Sequence, residues 1–249
     1  MKQAKHLLFA FLLITTVSLQ AQVGIGTATP DASAQLDVSS TTKGFLPPRV
    51  TFTQREVMTP VEGLMIYNTG SKKPNYFDGT GWKNFDGSSA ALAIGNPFQG
   101  GIVAYILQPG DPGYIAGQTH GLIAAASDQS AAAAWGCFGT AITGADGTAL
   151  GTGNQNTIEI MVGCATTGIA ARICGDLVLN GYSDWYLPSK EELNKLYINR
   201  VAVGSFTINE YWSSSEFDNN TAWQQLFFNG QQQFSGKDFP LRVRAVRTF

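Results

Sequence analysis

Trp185-Tyr186-Leu187-Pro188-Ser189 runs directly into Lys190-Glu191-Glu192-Leu193, and this junction constrains the fold more than any other stretch of the chain. Ser189 followed three residues later by Glu192 is a capping box, in which each side chain satisfies a backbone N–H that the first helical turn leaves unpaired. Pro188 biases the residue before it away from helix, so the start is sharp. A short helix is therefore predicted over residues 190–197, with Leu193, Leu196 and Tyr197 facing the core. The Asn180-Gly181-Tyr182 turn delivers Trp185-Tyr186-Leu187 to that helix. Downstream, residues 211–214, 222–228 and 241–246 read as three short strands, with Asn229-Gly230 as the turn after the second.

The rest of the chain falls into patterned blocks. Residues 101–107 and 121–126 read as buried strands, and 131–153 as a loop rich in Ala, Gly and Thr that carries Trp135 and Cys137. Over residues 157–177, Ile158, Met161, Val162, Ala165, Ile169, Ile173 and Leu177 recur at helical spacing, which predicts one helix weakened locally by Gly163 and Gly168. Residues 50–86 carry strand-like runs at 63–68 and 75–78 separated by Gly-containing turns, a small β spacer. Small and polar residues at 87–95 form a linker to a domain at 96–249. Residues 22–49, rich in Gly, Thr, Ser and Pro, cannot bury a core alone. They are a flexible linker or a stalk stabilised by winding identical chains together.

Residues 1–21 have the form of a secretory signal peptide: Lys2 and Lys5, an apolar run over 7–17, and Ser18-Leu19-Gln20-Ala21 as a cleavage site. Export to the periplasm, cell surface or medium is expected. No later segment approaches the roughly 20 apolar residues that a membrane-spanning helix needs, so no transmembrane segment is expected. The chain has 16 Lys and Arg against 18 Asp and Glu, and cleavage removes two of the lysines, so nucleic acid is a poor partner. Between Lys83 and Lys190 the only basic residue is Arg172. After the leader the chain keeps a single histidine, His120, which closes most routes to imidazole catalysis and to zinc sites with several imidazoles. A non-enzymatic protein with no cofactor is expected. With Cys164 and Cys174 on one helix, ten residues separate them by about 15 Å, too far to bridge. Cys137 then pairs with Cys164 or Cys174, or all three serve as small buried hydrophobes.

Taken together, W-Y-L-P-S-x-x-E-L at 185–193, Y-W-S-S-S-E at 211–216 and the terminal V-R-A-V-R at 243–247 resemble the Lcl C-terminal domain family over about residues 96–249. The resemblance implies an α+β, C-type-lectin-like domain with two helices, short antiparallel strands and long irregular loops, a fold related to that of the formylglycine-generating enzymes. Upstream, Gly24-Ile25-Gly26-Thr27, Leu36-Asp37-Val38, 41–49 and 63–69 resemble the stalk segments of tail-fibre-like proteins, which implies a spacer that forms homotrimers. The adhesin that names the family carries its domain on a trimeric stalk and binds sulfated glycans. This chain departs in its acidic balance, so a neutral glycan or a protein receptor on a surface is the expected partner. A structural fibre component with no small ligand is the alternative.

The candidate binding residues follow from chemistry. Trp185, Trp212 and Trp223 could stack on sugar rings, with core roles favoured for the first two and Trp223, beside Gln224 and Gln225, the open case. Glu216, Asp218, Asn219 and Asn220 cluster oxygen ligands in one loop, the kind of set that holds calcium, with Glu216, Asp218 and Asn219 as the metal candidates. The loop has no Glu-Pro-Asn or Trp-Asn-Asp signature, and a solvated loop is its default reading. Arg242 and Arg244 share one side of a strand over 241–246, as an anion site or, more readily, in structural pairs with Glu191, Glu192 or Asp184.

Overall fold

The computed structural model describes residues 22–249 in two compact units, one ending at Pro47 and one spanning Pro48–Phe249. The signal peptide expected at residues 1–21 lies outside the described residues. In the first unit β1 (Val23–Ile25) and β2 (Leu36–Val38) pair in parallel, with Val23 opposite Leu36 and Ile25 opposite Val38. Asp31 organises the connection by accepting from the Ser33 backbone N–H and hydroxyl. Two strands cannot cover one another's side chains, and Val23, Ile25, Leu36 and Val38 stay between 42% and 55% exposed.

The second unit begins with the sheet β3-β4-β5-β6, built from β3 (Arg49–Val50), β4 (Met65–Asn68), β5 (Lys73–Phe77) and β6 (Trp82–Asn84). Between β3 and β4 lies a helix not expected from the sequence, α1 (Phe52–Glu56). The signal was present: Thr51 and Gln54 cap the helix reciprocally, by the same chemistry that marks Ser189 and Glu192. Beside the buried apolar Phe52 and Ile66 a polar cluster forms. Buried Arg55 sits 4.1 Å from the centre of the Phe52 ring, donates to Asn75 Oδ1 and pairs with Glu56, while Asn75 donates onward to Asn84.

The C-terminal part holds two further sheets. One, ordered β15-β9-β8-β7, joins β7 (Pro97–Phe98), β8 (Gly101–Ile106), β9 (Gly121–Ala124) and β15 (Val246–Thr248), and every pairing in it is antiparallel. The other, ordered β10-β14-β11-β12-β13, joins β10 (Ser130–Ala133), β11 (Glu210–Glu216), β12 (Thr221–Leu226), β13 (Gln232–Gly236) and β14 (Leu241–Val243). Helices α2 (Gly153–Gly163), α3 (Ala170–Gly175), α4 (Lys190–Ile198) and α5 (Arg200–Val203) pack around them. Among the described residues the result is a mixed α/β fold of fifteen strands in four sheets with five short helices.

Several expectations are corrected. The helix expected over 157–177 is two helices: Cys164 leaves α2 in extended conformation, Gly168 takes φ +71°, and α3 starts at Ala170. Its buried face also differs, since Ile158 and Val162 are exposed while Gly153, Asn156, Thr157 and Ile160 are buried. Hydrogen bonds decide that face. Thr157 Oγ1 accepts from the Leu187 N–H, Asn156 donates to the Gly147 carbonyl, and a Cβ on Gly153 would lie 2.1 Å from Glu192. Helix α2 thus docks on the capping box of α4 through a position that only glycine can occupy. Two helices were expected in this domain; α2 to α5 make four.

The single strand expected over 241–246 is divided between the two sheets as β14 and β15. At the break, Ala245 N–H donates to the Gln129 side chain, and the Arg244 side chain turns to Asp128 and to the carbonyls of Ala125 and Ser205. Strand β10 inside the expected loop was also unforeseen, because Ala131-Ala132-Ala133 carries no strand signal until Ser130 and Ala133 pair with β14. The core between sheets and helices is centred on Trp135 and Trp212, both fully buried. They brace the loop after β10 against β11 reciprocally: Trp135 Nε1 donates to the Ser213 carbonyl and Trp212 Nε1 to that of Ala133.

Candidate functional site

Antiparallel pairing of β12 with β13 puts Trp223 directly opposite Phe234, on the face of the sheet away from Trp212 and Ala222. Phe217, just past β11, folds back beside them. The Phe217 and Phe234 rings stack in parallel with centres 4.5 Å apart, and both meet the Trp223 ring edge-to-face, at 5.6 and 6.1 Å. Phe217 and Phe234 are each 51% exposed, so this aromatic platform stands open to solvent. At one end Lys190, the first residue of α4, holds its ammonium 3.7 Å from the centre of the Trp223 ring, a cation–π contact. Its carbonyl accepts from Gln232 Nε2, which ties α4 to the edge strand β13.

Asp218 builds the turn that returns Phe217 to the platform. Its Oδ1 accepts from the N–H groups of Asn220 and Thr221 and from the Thr221 hydroxyl, and these bonds hold the carboxyl below its ordinary range. The carbonyls of Asn219 and Asn220 accept from Gly139 and Lys237 N–H, which pins the turn to the neighbouring loop. The Asn219 side chain remains exposed there.

The other candidates are placed differently. Glu216 faces the interior, where its two oxygens accept from Ile142 N–H at 2.9 and 3.0 Å and pair with fully buried Lys237. Lys237 also donates to the Thr140 carbonyl and lies 4.6 Å from the centre of the Trp135 ring. Glu216, Asp218 and Asn219 therefore do not converge as a calcium set: one carboxylate is neutralised inside the domain and the other is occupied by its own turn. Among the described residues no group of three or more His, Cys, Asp or Glu is arranged to hold a metal ion. Gln225 is not a ligand contact either, being fully buried with Nε2 donated to the Gly230 carbonyl.

Arg242 and Arg244 do not form an anion site. Both pair with Asp128, which also accepts from the Tyr211 hydroxyl, and Arg244 is fully buried against the Phe206 ring. Neither meets Glu191 or Glu192. The Asp184 pairing goes to Arg247, whose Nε and Nη2 grip the two carboxylate oxygens at 2.7 and 2.8 Å and hold that carboxyl below its usual range. Trp185 and Trp212 are buried, leaving Trp223 as the tryptophan of the three at the surface site. Cys137 and Cys164 are joined in a disulfide with Cα atoms 5.8 Å apart, while Cys174 is buried and its thiol pushed up by burial.

Phe217, Phe234 and Lys190 were not foreseen as site residues. Their only sequence signal is the exposed spacing of aromatics in a hairpin whose register brings Phe234 to Trp223.

Two matches with known families agree with this layout. Residues 24–97 match the phage tail like trimerisation region, which covers β1 to the start of β7, and residues 127–247 match the Lcl C-terminal domain. No curated protein matches the chain. The interval holding β8 and β9 lies between the two matches. Residues 127–247, which hold β11 to β14, α2 to α5, the capping box of α4 and the closing arginines, are thus similar to the Lcl C-terminal domain, and residues 24–97 to the phage tail like trimerisation region.

Proposed function

We propose that this is a secreted, surface-associated, non-enzymatic recognition protein: a trimeric stalk presents a C-type-lectin-like tip whose aromatic platform binds carbohydrate on another surface. The single observation that carries the reading is the platform itself. Three rings held in fixed mutual geometry, two of them half exposed, are the usual surface on which the apolar face of a sugar ring stacks. Asn219 at the adjacent turn supplies an amide for hydroxyl groups. The Cys137–Cys164 bond suits an oxidising compartment outside the cytoplasm. A thiol chemistry is disfavoured because two cysteines are bonded and Cys174 is buried as the neutral thiol.

A glycan array probed with the mature chain tests this reading. Saturable binding that Trp223→Ala or Phe234→Ala weakens by about tenfold or more supports it, a loss of the size expected for one stacking contact. Equal binding by both variants removes the platform from the function. A second reading, a fibre component with no small ligand, is favoured by the exposed apolar side chains of the trimerisation region, Met65 and Phe85 included. Trimers that bind no glycan and no surface in any format would establish it.

A further inference from the structure

Where the β3–β6 sheet meets the C-terminal part, a cleft of about 830 Å³ opens between α1, the β7–β8 turn and the Asn180–Tyr182 turn. None of its lining residues is charged. Thr51, Thr53 and Thr69 line one side, the Thr51 hydroxyl accepting from Gln54 N–H and the Thr69 hydroxyl donating to the Val50 carbonyl; Gln99, Asn180 and Tyr182 line the other. This volume lies within the range of small-molecule sites, roughly 300–1,000 Å³.

The polar groups of the second wall are fixed from behind. Gln99 Oε1 accepts from Arg247 Nη1 at 3.0 Å, which identifies its Nε2 as the amide group left to donate. Asn180 Nδ2 donates to the Gly100 carbonyl at 2.7 Å, which leaves Oδ1 as an acceptor. One face of the Tyr182 ring is covered by the Arg247 guanidinium at 4.1 Å, and Arg247 is itself held by Asp184. Gln99 and Asn180 both sit at positive φ, 42° and 53°, a conformation that costs a side-chain-bearing residue about 1 kcal/mol or more and concentrates at working sites. Between them Gly100 has no room for a Cβ, which would lie 2.6 Å from the Tyr182 ring.

We infer that this cleft is a second binding site, for a short neutral saccharide. A preset amide donor, a preset amide acceptor, a row of hydroxyls and an aromatic ring match sugar hydroxyls, which donate and accept at once, and the uncharged walls offer nothing to an anionic or cationic ligand. The inference is independent of the aromatic platform, because the two sites share no residue and are carried by different elements.

The experiment titrates the full mature chain with neutral oligosaccharides of the cello-, malto-, xylo- and chito- series, read by calorimetry and saturation-transfer NMR. Three variants accompany it: Thr53→Trp fills the mouth from an exposed position, Gln99→Asn withdraws the amide while tolerating the same φ, and Trp223→Ala removes the platform. The expected result is saturable, salt-insensitive binding that falls about tenfold or more in Thr53→Trp and Gln99→Asn and persists in Trp223→Ala. Absence of binding across the panel overturns the proposal. So does binding that only Trp223→Ala reduces, or a change of oligomeric state in Thr53→Trp with binding unaltered, which would give the cleft to another copy of the chain.

Discussion

The two matched regions solve opposite problems. In the region matched at 24–97 apolar side chains are left in solvent, among them Ile25 at 55%, Met65 at 50% and Phe85 at 59% exposed, and the interior combines buried Phe52 and Ile66 with a polar cluster around Arg55. In the region matched at 127–247 the charged side chains of Lys237 and Arg244 are fully buried, and each is answered by a carboxylate. The first carries exposed apolar side chains on small sheets; the second uses ion pairs to anchor loops inside cores that it shares with residues such as Ala104, Leu122 and Ile123 from outside the match. The match to a trimerisation region and its exposed side chains make the first region the place to test for oligomerisation.

The largest test separates the two regions outright. Val23→Asp combined with Ile25→Asp places charge where the exposed strand pair needs a partner, and sedimentation should then report monomers in place of trimers, with the thermal transition of the C-terminal domain unmoved. Persistent trimers would show that the exposed face of β1 is dispensable to assembly. Next comes Lys237→Ala, which strands the Glu216 carboxylate and should cost about 3–5 kcal/mol in denaturant unfolding. The pair replacement Glu216→Leu with Lys237→Met should recover most of that, since no charge is left unpaired. Recovery failing would mean that the ion pair specifies the loop over 136–145 and is more than a neutralised defect.

Smaller effects sharpen the picture inside the C-terminal domain. Cys137→Ser frees a 27-residue separation and should lower stability by about 2–4 kcal/mol under oxidising conditions, with no difference once the native chain is reduced. The smallest concerns pH. Glu192 is held above its ordinary value, chiefly by burial, against the hydrogen bonds from Ser189, Gly151 and Tyr186 that favour the ion. The folded chain therefore keeps this proton to higher pH than the unfolded chain. The stabilising contribution is complete below the unfolded value near 4.5 and is lost as pH rises through the raised folded value. In Glu192→Gln that decline should vanish from unfolding midpoints measured upward from below 4.5. Asp184, lowered by Arg247, acts in the opposite sense and loses its contribution as pH falls.

Much of the architecture was legible where a local rule fully specifies it. Ser189 and Glu192 announced α4 because a capping box is satisfied by residues three apart and needs nothing distant. The strands expected over 211–214 and 222–228 from β-rich runs bounded by turns are β11 (Glu210–Glu216) and β12 (Thr221–Leu226). The same local rule marked α1 through Thr51 and Gln54 and was overlooked, because the run that follows is only five residues long. Of the site, Trp223 and the turn at Asp218 to Asn220 were legible as polar and aromatic chemistry in a loop-strand junction. Their roles were not, since Asp218 serves its own turn and Glu216 turns inward.

By itself the sequence determined the helix start at Ser189, the strands of the hairpin that follows it, the low histidine content and the mildly acidic charge balance. Tertiary structure alone decided which arginine meets which carboxylate, that Leu241–Val243 and Val246–Thr248 part into different sheets, and that Phe217, Trp223, Phe234 and Lys190 form one platform. The reason is physical. Caps and turns are short-range hydrogen-bond problems solved within a few residues, whereas strand register and the pairing of buried charges depend on which distant surfaces are brought into low dielectric together.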